Sequence, residues 1–143
     1  MIAGHGVTHS ERTSAETRRH PHSLFGIQTW VALPEGAEDN PAGFEHQGKE
    51  ALPWIEAEGV KARLILGNAW GERAPVKVCS VRYDADVGRA AGARRPLTDG
   101  DEDRGLYVVS GSSLVGGHGA GEKVGVQHPI GQGHGKTPVQ QWE

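Results

Sequence analysis

The triplet His9-Ser10-Glu11 holds the residue types best suited to chemistry in this chain. In an extended segment, residues i and i+2 project from one face, so the imidazole and the carboxylate can converge on one ion. That donor pair suits Fe, Mn, Ni or Zn and resembles part of a facial site with open positions for substrate. The same spacing also suits a plain solvated pair, which is the commoner case. His20-Pro21-His22 is a second i, i+2 pair. The proline between the two histidines resists an inner-strand position, which favours a loop.

Other motifs carry less. Gly131 to Thr137 imitates a phosphate-binding loop, but Ile130 stands where the pattern needs its first glycine, and Pro138 follows where a helix should begin. Cys79 has no histidine nearby in sequence to activate it and reads as a small buried side chain. Trp30, Trp54 and Trp70 sit in or beside expected strands and read as core or barrel-rim packing.

The elements that must position these residues are strands. Residues 27–33, 60–64 and 81–87 alternate apolar and polar side chains with period 2, the second running on through Ile65-Leu66. Residues 76–78 and 106–109 add two short strands, and residues 48–53 suit a single helical turn. Gly, Pro and Asp clusters punctuate the rest, so the chain reads as an all-β sandwich or barrel. From Gly116 onward the text becomes rich in Gly and His and holds little apolar material, so a disordered tail is expected.

Composition narrows the classes. Leu, Ile, Val and Phe supply only about a fifth of the 143 residues, while glycine contributes 22. A formal net charge of −3 without a basic block argues against nucleic acid as a direct partner. No apolar run reaches membrane-spanning length, and the start of the chain shows no signal-peptide pattern. A single cysteine forbids an internal disulfide and fits a cytoplasmic location.

Taken in order, these segments resemble the pirin family of the cupin superfamily. Residues 3–13 are similar to the glycine-rich turn that precedes His-Ser-Glu in pirins, and residues 26–34 to the following strand with its Gln-x-Trp. Glu50-Ala51-Leu52-Pro53, residues 67–75 and residues 103–111 match in the same order, so the resemblance covers roughly residues 1 to 111. It implies a bicupin, two β-barrels in tandem, the first binding one divalent metal, usually Fe(II), through three His and one Glu. His9 and Glu11 would be two of those ligands. Glu11 would also act in catalysis, and His22 and Gln28 would line the substrate pocket without ligating.

The expected architecture is a partial bicupin: an incomplete N-terminal cupin barrel over residues 1–75, the start of a second barrel over 76–115, and a Gly/His-rich tail over 116–143. The family's His-x-His strand would precede residue 1, and the tail does not resemble the rest of a second barrel. The resemblance implies quercetin 2,3-dioxygenase activity, the O₂-dependent opening of a flavonol ring, with a flavonol-like small molecule as partner. Half a ligand set predicts little activity from these residues alone. The alternatives are a metal-binding transcriptional co-regulator without enzymatic activity, and a truncated product without function. Open barrel edges would favour self-association.

Overall fold

The structure is a computed structural model that describes residues 1–23, 25–80, 82–96, 103–115, 118–121 and 125–129. The chain divides into two compact units, Met1–Arg94 and Arg95–Glu143. The fold is all-β. Among the described residues, helix is confined to two single 3-10 turns, Thr17–Arg19 and Lys49–Ala51, the second of which meets the sequence expectation.

The first unit is built on an open, four-stranded antiparallel sheet. Its strands are β1 (Trp54–Ala57), β2 (Val60–Ala69), β3 (Glu72–Arg73) and β4 (Tyr83–Arg89). β2 is central. It pairs with β1 through a two-residue turn at Glu58-Gly59, with β3 at its far end, and with β4 along most of its length.

β2 forms because its sequence offers one apolar and one polar face. Val60, Ala62 and Leu64 are buried, whereas Lys61 is exposed and Arg63 half-buried. At Leu64/Leu66 the register against β4 shifts by one residue, leaving Ile65 outside the ladder and exposed. Side chains alternate with period 2, so one extra residue exchanges the faces. Beyond the bulge the odd-numbered positions Gly67 and Ala69 are the buried ones. Leu64, Ala69 and Ala74 form the core cluster, with Ile55, Trp70, Tyr83 and Ala85 packed against it.

Gly67 is fixed by two constraints at once. Its φ of +77° lies in the left-handed region, and a Cβ there would overlap the carbonyl of Arg82 on the neighbouring strand. The β2–β3 turn uses Trp70 and Gly71 at φ values of +51° and +85°, the left-handed pair that a tight hairpin requires. Trp70 carries a strained backbone for a residue with a side chain. Its ring meets Tyr83 edge-on with centroids 5.4 Å apart, a contact that offsets the strain.

The outer face of the sheet is polar. Trp54 is partly exposed, but its ring is flanked by the Lys61 ammonium at 4.6 Å and the Arg63 guanidinium at 4.1 Å. Lys61 also pairs with Glu56 at 2.7 Å, an exposed contact of little energetic weight.

The second unit contains β5 (Asp103–Tyr107), β6 (Ser113–Val115), β7 (His118–Ala120) and β8 (Gly125–Pro129). β5 pairs antiparallel with β8, and β6 with β7. Two short strands thus fall inside the stretch expected to be a disordered tail. The phosphate-loop imitation at residues 131–137 lies outside the described residues.

Two expectations need correction. Residues 27–33 alternate like a strand but do not form one, and Trp30 is 85% exposed instead of packed in a core. Alternation makes a strand only where a partner supplies the ladder, and no described segment lies alongside. Residues 76–78 are likewise irregular, and Cys79 is half-buried outside any strand.

The contrast between the two left-handed glycines Gly67 and Gly71 is testable by urea unfolding. Gly71→Ala should cost about 1 kcal/mol, because a Cβ there meets nothing but must adopt positive φ. Gly67→Ala should cost roughly 3 kcal/mol, since it adds displacement of β4 to the same strain. Equal losses would show that the close approach to Arg82 is not felt.

Candidate functional site

The residues that the sequence marks for metal chemistry lie N-terminal to the sheet. Their start is anchored by a bridge in which Ile2 and Gly43 exchange backbone hydrogen bonds of 2.8 and 2.9 Å. Next to it the His5 amide donates to the Asn40 carbonyl at 3.3 Å, and the Gly6 amide closes a tight turn onto the Ala3 carbonyl at 2.9 Å. Beyond this turn the chain is extended or irregular apart from the 3-10 turn at Thr17–Arg19, and the described side chains from residue 5 to residue 32 are exposed.

His9, Glu11, His22 and Gln28 all lie in this exposed stretch. The His22 Nδ1 faces the carbonyl of His20 at 3.2 Å, a purely local contact. His5 uses its own Nδ1 against the Asp39 carbonyl at 3.4 Å. Glu11 has no ion pair or hydrogen bond with a described residue. Among the described residues, no group of three or more His, Cys, Asp or Glu side chains converges as a metal site. A single extended stretch can present two donors at i and i+2, and a third must come from an adjacent strand. Among the described residues, no such strand lies beside residues 9–11.

A second locus was not anticipated from the sequence. Residues 50–53, leading into β1, and residues 73–77, leaving β3, line an open cleft of about 420 Å³. Both walls are tied to β2: the Leu64 amide donates to the Pro53 carbonyl at 3.0 Å, and the Ala74 amide to the Gly67 carbonyl at 2.9 Å. Leu52, Pro53, Ala74, Pro75 and Val76 give the cleft an apolar floor, with Glu50, Arg73 and Lys77 supplying charge. Beside it, the Glu45 carboxylate accepts from Gln47 Nε2 at 2.9 Å and from the Lys77 backbone amide at 3.3 Å. These bonds favour the ionised form and hold Glu45 below the ordinary value of 4.5, Gln47 contributing most. The only sequence-level trace of this locus is that both wall segments fall in stretches resembling the pirin family.

The open antiparallel all-β fold is consistent with a cupin-type chain, and comparison with known proteins identifies the family. The chain is 38% identical over 118 residues to a pirin-like protein of Caulobacter vibrioides, an alignment covering 82% of this chain and 41% of the relative. A Pseudomonas aeruginosa protein provisionally named as a quercetin 2,3-dioxygenase is 34% identical over 118 residues, again 82% of this chain and 36% of the relative. Human pirin is 26% identical over 139 residues, covering 96% of this chain and 46% of the relative. The chain belongs to the pirin family. It spans less than half the length of these relatives. No family model matches it. No solved structure matches it either.

The Glu45 contacts predict a pH response with a definite sign. A carboxylate whose folded value is lowered adds stability that is fully present above the ordinary value of 4.5 and is lost as pH falls through the lowered one. The Lys77 amide resonance should therefore titrate with a midpoint below 4.5, and Glu45→Gln should abolish the inflection. A midpoint at or above 4.5 would mean that the carboxylate does not hold this amide.

Proposed function

We propose that this chain is a portion of a metal-dependent pirin whose reaction is the O₂-dependent opening of a flavonol ring, and that the described residues do not perform it alone. The reading is carried by the relatedness to a pirin-like protein and to a protein bearing a provisional quercetin 2,3-dioxygenase name. The motifs running in family order through residues 1–111 support it, with His-Ser-Glu at positions 9–11.

The donor set does not fit a catalytic metal as it stands. His9 and Glu11 are two donors on one exposed stretch, and no third donor among the described residues joins them. Tight, selective binding needs a completed and oriented set, with neighbours that fix each ligand. No chemical step is therefore assigned to a metal. Glu11, with no described partner holding its oxygens, remains available as a base for a substrate hydroxyl. In this reading His22 and Gln28 line the substrate side and do not ligate. A reducing, cytoplasmic setting belongs to the same proposal, supported by the single free cysteine Cys79. No helix among the described residues is long and apolar enough to cross a membrane.

Metal content and turnover test the proposal together. The purified 143-residue chain, loaded with Fe(II) without oxygen and desalted, should retain well below one equivalent of iron. It should also leave the flavonol absorbance band unchanged in air. One tightly held equivalent, or loss of that band, would overturn the reading that this chain does not perform the reaction alone.

A further inference from the structure

The cleft between residues 50–53 and residues 73–77 has walls whose backbone is already in use. The amides of Ala51, Leu52 and Ala74 donate to the carbonyls of Gly48, Lys49 and Gly67, and that of Lys77 donates to the Glu45 carboxylate. Pro53 and Pro75 have no amide to offer, and the Pro53 carbonyl accepts from Leu64. A further strand laid along either wall would find few groups to pair with, so sheet addition is a poor way to complete this surface.

Charge argues against apolar packing as well. Among the described residues, the Arg73 guanidinium and the Lys77 ammonium have no ion pair and no side-chain hydrogen bond. Glu45 attracts Lys77, but its Oε1 is bonded to Gln47 and its Oε2 to the Lys77 amide. On the facing wall the Glu50 carboxylate folds back over Gly48, so close that a Cβ there would overlap it. Covering two uncompensated cations with apolar side chains is strongly unfavourable. A ligand that brings its own negative charge avoids that penalty.

The floor sets the rest of the ligand. Ala74 is buried, and Leu52, Pro53 and Val76 are half-buried. The volume of about 420 Å³ lies in the range of small-molecule sites. We infer that this cleft binds a small aromatic carboxylate, its ring lying on Leu52, Pro53, Ala74 and Val76 and its anionic head held by Arg73 and Lys77. Charge-assisted bonds to a guanidinium and an ammonium supply orientation, and the floor supplies the apolar contact. The site uses none of the metal donors and does not rest on the dioxygenase reading.

Titration of the full chain with 2-naphthoate, followed by amide resonances, tests it. The Ala74 and Lys77 amides should shift together with a dissociation constant of about 1 mM, the affinity that so small a ligand reaches. Arg73→Gln and Lys77→Gln should each weaken binding about threefold, and the pair about tenfold. 2-Naphthamide keeps the rings without the charge. It should bind the unaltered chain about tenfold more weakly than 2-naphthoate does, and the double variant no differently. Both side chains are exposed, so exchange of β2 amides should be the same in the variants, which separates lost binding from lost folding. Unchanged naphthoate affinity in the double variant would overturn the inference. So would equal binding of the two probes, which would mark the cleft as an apolar face that protein covers, or shifts confined to the exposed aromatic residues Phe25 and Trp30.

Discussion

The first unit depends on β2 being paired on both sides while changing its buried face midway. Both flanking strands read their register from it: β1 over Val60–Arg63, and β4 from Val60 to Gly67 with the one-residue shift after Leu64. Without the bulge, Leu66 in place of Gly67 would turn toward the core, and the close approach of Arg82 would meet a side chain. The bulge thus lets one ten-residue strand serve an ordinary ladder at its start and a crowded crossing at its end. The cleft walls inherit this order, since Pro53 and Ala74 are both hydrogen-bonded to β2.

Much of the sheet was legible in the sequence, for a physical reason. Residues 60–64 alternate because one side of β2 is solvated and the other buried, which is the condition that period 2 records; residues 83–87 alternate in type as well, but on β4 Tyr83, Asp84 and Ala85 are half-buried while Asp86 and Val87 are exposed. Residues 27–33 show the same pattern and form no strand. Alternation reports a segment's capacity to pair, and pairing needs a neighbour that sequence periodicity does not name. The tryptophans divide along the same line. Trp70 packs on Tyr83 from a turn, Trp54 lies beneath two cations, and Trp30 stands in solvent.

The candidate site was legible only as donor types at a spacing. His9 and Glu11 share an i, i+2 relation that sequence shows directly, but convergence of a third donor is a property of adjacent strands. The Glu45 contact with the Lys77 amide joins residues 32 positions apart, and nothing local announces it. Family resemblance carried the functional reading further than residue chemistry did, because order along the chain survives where three-dimensional convergence is not on view.

The bridge between Ile2 and Gly43 has a consequence in polymer terms. It closes a loop of about 40 residues with two exposed backbone hydrogen bonds. Closing a flexible loop of that length costs about 3 kcal/mol in chain entropy, by the logarithmic scaling of closure with length. These two bonds and the adjacent His5 amide bond to Asn40 return about 1 kcal/mol each, so the clasp about balances the cost and opens readily. When it opens, His9 and Glu11 sit on a tether rooted in the sheet. Their encounter with any surface within reach is then governed by an effective concentration set by tether length, in the millimolar range for short flexible chains and lower for one this long.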